Sequence, residues 1–75
     1  MRLKDIREDR DLTQLEVAEF LHVKQNTYSQ YESGKRQLPI EVLIALAEYY
    51  RVTTDYLLGL SDIPNPYSSN RKKQR

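Results

Sequence analysis

Residues 13–36 read TQLEVAEFLHVKQNTYSQYESGKR, and they set the architecture for everything around them. The run opens like a helix, because Thr13 and Glu16 form a T-x-x-E capping box in which hydroxyl and carboxylate each satisfy a backbone N–H that the helix leaves free. Leu12 and Val17 stand where a hydrophobic staple closes over that turn. A second short helix is predicted from about Gln25 to Glu32. At about 100° per residue its side chains fall into two arcs, Thr27, Tyr28 and Tyr31 on one side and Gln25, Asn26, Ser29 and Gln30 on the other. The second arc holds uncharged donors and acceptors instead of the Lys and Glu that usually solubilise a helix. Gln and Asn can make paired hydrogen bonds to the major-groove edge of adenine, and Ser can serve several bases. Eight helical residues span about 12 Å, which matches the width of a B-DNA major groove, about 12 Å.

With those residues in view, positions 3 to 59 resemble the lambda-repressor and Cro type of helix-turn-helix found in small bacterial and phage regulators. The likeness is carried by Leu12-Thr13-Gln14 at the start of the second helix, by Leu15, Ala18 and Leu21 along it, and by Val23 in the turn. It continues in Tyr31-Glu32-Ser33-Gly34-Lys35-Arg36 and in Asp55-Tyr56-Leu57-Leu58-Gly59, covering about three quarters of the chain. Two positions depart from the pattern: His22 stands where the family usually has the turn glycine, and Lys24 where it usually has a Ser or Thr cap. The resemblance implies an all-α bundle of about five short helices in which Gln25, Asn26, Ser29 and Gln30 face the bases. Phosphate contacts are then expected from Gln14, Lys24, Ser33, Lys35 and Arg36. In related proteins the last helix and the segment after it contribute to a dimer contact, which here points to Leu57, Leu58 and Leu60; packing onto the monomer core would use the same leucines.

The first helix is predicted from about Arg2 to Arg10, with Leu3 and Ile6 on one face. Arg7 and Arg10 lie on that apolar side, and a partly buried arginine calls for a carboxylate because an unpaired buried charge is costly. Glu32 is the partner expected for Arg7, a pairing that the resemblance also implies. Beyond Gly34, a loop leads to a helix begun by Pro39, which is well tolerated in a first turn. Ile40, Leu43, Ile44, Leu46, Ala47 and Tyr50 are expected to form its core-facing arc, with Val42 and Tyr49 on the other side. Thr53 or Thr54 can cap a last short helix that Gly59 ends.

Seventy-five residues make one small domain with a modest core, and with no cysteine there is no disulfide or thiolate-metal framework to staple it. Residues 1–60 are expected to form the helix-turn-helix domain and residues 61–75 a flexible basic C-terminal tail. Residues 1–70 carry eight Lys or Arg against eleven Asp or Glu, a net −3, while Arg71, Lys72, Lys73 and Arg75 add +4. The folded part is therefore acidic, and any attraction to nucleic acid must come from local grouping of Lys24, Lys35 and Arg36. No apolar run approaches 18 residues and no signal segment follows Met1, so a cytoplasmic location is expected.

Chemistry finds no support. His22 is the one histidine, there is no cysteine nucleophile, and neither a phosphate-cradling glycine loop nor spaced metal ligands occur. The expectation is a non-enzymatic, cofactor-free regulator with no small-molecule substrate, a homodimer on an inverted-repeat operator in double-stranded DNA, acting as a repressor by occlusion. A rival reading is an antitoxin or antirepressor that uses the same fold to hold a partner protein.

Overall fold

The computed structural model describes residues 1–65, which form five α-helices and, among the described residues, no strand. These are α1 (Leu3–Asp9), α2 (Gln14–Leu21), α3 (Gln25–Ser33), α4 (Ile40–Tyr50) and α5 (Thr54–Leu58). The fold is all-α with a helix-turn-helix in α2 and α3. Helix α2 begins on the capping box: Glu16 N donates to Thr13 Oγ1 at 3.0 Å, and Thr13 N donates to Glu16 Oε1 at 2.8 Å. It ends at His22, which sits in the left-handed region at φ 60. That conformation is why a glycine suits the position, since a side chain there is strained. Lys24 then starts α3 with no side-chain cap. Helix α3 stops at Gly34, φ +81, and the turn sends the chain back across the end of the helix. Pro39 takes the position just before α4, and Thr53 caps α5 by accepting from Tyr56 N at 3.0 Å.

The core draws on every helix: Leu3 and Ile6, Val17 and Ala18, Tyr28 and Tyr31, Leu46, Ala47 and Tyr50, and Leu57. Helix α2 packs on α3, and α4 on α5. The core face of α4 differs from the expected arc. Val42, Leu43, Leu46, Ala47 and Tyr50 turn inward, whereas Ile40 and Ile44 are 67% and 46% exposed. Ile44 lies about 130° from the middle of the stripe through those five residues, outside any face that one neighbouring layer can cover. Tyr49 stays at the surface, stacked on Phe20 of α2 with ring centroids 4.2 Å apart.

Arg10 also departs from expectation. It is exposed and donates to the Tyr50 carbonyl at 2.9 Å, with its guanidinium over the Tyr50 ring, so no carboxylate is needed. Arg2 closes the two ends of the domain: its Nε donates to the Tyr56 carbonyl at 2.8 Å and its Nη2 to Asp62 Oδ1 at 2.7 Å. The expected tail therefore begins with a segment that returns to the domain, and Thr53 N donates to the Pro64 carbonyl at 2.9 Å. The remaining tail residues, including Pro66, Tyr67 and the basic group Arg71, Lys72, Lys73 and Arg75, lie outside the described residues. No helix among the described residues is long and apolar enough to cross a membrane.

Candidate nucleic-acid interface

The two arcs of α3 meet different surroundings. Tyr28 and Tyr31 are buried and edge-on to each other, with centroids 6.5 Å apart, and Thr27 is half-buried. Gln25 and Asn26 are exposed, and Ser29 and Gln30 are half-buried, so the four candidate base readers line the outer side.

The inner side is fixed by one carboxylate. Arg7 and Glu32 are brought together as a fork: Arg7 Nε donates to Glu32 Oε2 at 2.6 Å and Arg7 Nη2 to Oε1 at 3.3 Å, with the side chains only 10% and 5% exposed. Arg7 Nη1 goes to the Leu12 carbonyl at 2.8 Å, tying α1 to the start of α2. Burial pushes the Glu32 carboxyl up, but contacts from Arg7, Tyr28 and Gln14 outweigh it and hold the group below the usual carboxylate range. The hydrogen bond to Glu32 in turn raises the Arg7 guanidinium above its ordinary value. The Tyr28 hydroxyl is buried without a hydrogen-bond partner among the described residues, and burial first, with the Glu32 carboxylate next, drives it well above the ordinary phenol range. Burial pushes Tyr50 up to about 12.

Gln14 is drawn into the same group, donating from Nε2 to Glu32 Oε1 at 3.0 Å. Its amide is thereby aimed along the seam between α2 and α3. Lys4, Gln14, Ser29, Glu32 and Ser33 line a hollow of about 240 Å³ there. With Glu32 neutralised by Arg7, Lys4 is a net positive charge beside two hydroxyls and an amide, and it makes no ion pair among the described residues. Lys4 is absent from the residues expected at phosphate, because only the packing of α1 on the other helices brings it to this seam. The capping box also narrows the backbone donors: Thr13 and Glu16 N–H are used internally, leaving those of Gln14 and Leu15 free of any helical acceptor.

At the far end, Ser33 closes α3 and Lys35 and Arg36 follow it, all three exposed, and Lys24 is exposed before the helix. Arg36 is not free, since its Nε donates to Gln30 Oε1 at 2.9 Å. Of the three leucines expected at a dimer contact, Leu57 is 0% exposed and belongs to the monomer core, so its side chain has no surface to offer a second copy. Leu58 and Leu60 are exposed, at 36% and 75%, as is Ile63 nearby in sequence.

Comparison with known proteins bears on the fold and the family. The family model described as helix-turn-helix matches residues 3–57. The chain is similar to the uncharacterized HTH-type transcriptional regulator YobD of Bacillus subtilis, 37% identical over 65 residues, which is 87% of this chain and 58% of the relative. It is likewise similar to the HTH-type transcriptional regulator ImmR of Bacillus subtilis, 40% identical over 62 residues, 83% of this chain and 49% of the relative. The cryptic phage CTXphi transcriptional repressor RstR of Vibrio cholerae is 38% identical over 61 residues, 81% of this chain and 55% of that protein. The chain thus spans about half the length of these curated relatives. No solved structure gives a significant match.

Proposed function

The chain belongs to the helix-turn-helix family of the lambda-repressor and Cro type, and from that premise we propose that it is a sequence-specific double-stranded DNA-binding transcriptional regulator. The observation that carries the reading is the outer side of α3, where Gln25, Asn26, Ser29 and Gln30 stand clear of the core on a helix anchored by Tyr28, Tyr31 and the Arg7–Glu32 fork. In this motif the first turn of the second helix meets the base edges, which gives Gln25 and Asn26 the leading role. Gln14, Ser33, Lys4, Lys24 and Lys35 hold the sugar-phosphate backbone on either side. They set register and affinity and carry little base information.

One recognition helix reads only a few base pairs. A two-fold pair of copies, joined through exposed residues near Leu58 and Leu60, reads half-sites about 34 Å apart, one turn of the duplex. The mechanism is occlusion: the bound dimer denies the operator to polymerase or to another regulator, in the cytoplasm and without any chemical step. Selection of bound duplexes from a random pool tests the reading. An enriched inverted repeat is the expected product, and a pool from which nothing is enriched would overturn it.

A further inference from the structure

Gln30 and Arg36 are joined twice. The Arg36 backbone N–H donates to the Gln30 backbone carbonyl at 3.2 Å, and the Arg36 Nε donates to the Gln30 side-chain oxygen at 2.9 Å. The left-handed turn at Gly34 brings the chain back so that a residue six positions later in sequence lies over the helix end. Ser33 Oγ adds a weaker donation to the Gln30 backbone carbonyl at 3.3 Å. A guanidinium has five N–H donors and no acceptor, so the amide atom that faces it must be the carbonyl oxygen. The amide NH₂ of Gln30 therefore faces away from Arg36.

We propose that Gln30 and Arg36 act as one all-donor unit that reads guanine, not adenine, at one position of each half-site. The assignment rests on the reading of α3 as the helix that enters the major groove. A glutamine recognises adenine by donating to N7 and accepting from the N6 amino group, so it needs both ends of its amide. In Gln30 the accepting end already holds a cationic donor, and the positive charge beside it opposes a second donor such as N6. Guanine presents two acceptors, N7 and O6, on the same edge. Two amide N–H groups, or one together with a terminal N–H of Arg36, satisfy both. Gln25 is the contrast: it is exposed and makes no side-chain hydrogen bond among the described residues, so both ends of its amide stay available for adenine.

The test is selection from a random duplex pool with the full chain unchanged and with Arg36→Ala and Gln30→Ala, each variant checked by a thermal melt. The unchanged chain should select guanine at one position per half-site. Arg36→Ala, which releases the Gln30 oxygen, should move that preference toward adenine by about tenfold. Gln30→Ala should leave the position without strong preference. Should Arg36→Ala fail to fold, Arg36→Met keeps the aliphatic stem, removes the donors and gives the same prediction. An enriched operator whose preference is the same with and without the Arg36 donors would overturn the assignment and leave the DNA reading intact. Failure of the unchanged chain to enrich any duplex would overturn both.

Discussion

The inner and outer sides of α3 are built from similar raw material, polar side chains on adjacent turns, and they end in opposite states. Glu32 on the inner side is held by Arg7 and Gln14 and is 5% exposed, whereas Gln25 and Asn26 on the outer side are exposed and make no side-chain bond among the described residues. A polar group whose bonds are all made inside the protein fixes a helix in place. One whose bonds are unmade is available to a partner. Holding α3 and the base reading proposed for it are therefore expected to be separable by mutation, although the residues lie within about two helical turns.

The largest effect that could break this contrast is on stability. Removing one partner of a buried ion pair costs roughly 3 to 5 kcal/mol, and in a domain of this size each kcal/mol moves the melting temperature by about 4 to 8 °C. Glu32→Ala should therefore melt tens of degrees lower, and an unchanged melting curve would show that the fork contributes nothing. The pH dependence sharpens the same point. Because the folded-state pKa of Glu32 is depressed, its stabilisation is present above the unfolded value of about 4.3 and is lost as pH falls through the folded value. Acid titration of stability should thus show a loss below that range which Glu32→Gln, already lacking the charge, does not show. A smaller change is expected where α3 starts uncapped. Lys24→Ser supplies the missing acceptor for a first-turn N–H and should stabilise the chain by about 1 kcal/mol, measured by urea denaturation; no gain would mean that the turn geometry at His22 denies the serine its bond. The smallest effect is on Lys35, which is exposed and expected only at phosphate. Lys35→Ala should leave the melting temperature alone and lower the salt slope of binding by about one unit.

What is legible in the sequence depends on how local each cause is. The capping box, the stop at Gly34 and the cap at Thr53 depend on residues within one turn, and α2, the end of α3 and α5 are visible in the sequence for that reason. The core face of α4 is legible in part: Leu43, Leu46, Ala47 and Tyr50 face inward as expected, but its apolar residues spread around more than half of the helix, and only packing against the rest of the domain leaves Ile40 and Ile44 out and brings Val42 in. Leu57 illustrates the same limit, since burial in the monomer and burial between copies both ask for an apolar side chain. Lys4 and Arg36 need three-dimensional information: one reaches the seam through the packing of α1, the other reaches Gln30 through a left-handed turn. In both cases a sequence separation of several residues or more hides a contact that no helical period predicts.

The division of labour proposed for α3, an outer side that reads bases while contributing little to the fold, is measured by the affinity of Gln25→Ala and of the unchanged chain for the selected operator and for each of its single-base variants, at one salt concentration. The predicted result is a loss of discrimination of about 1 to 3 kcal/mol confined to one or two positions per half-site, with non-specific binding and melting temperature nearly unchanged. Equal weakening on every duplex would contradict it, because a side chain that acts so touches the backbone and reads nothing.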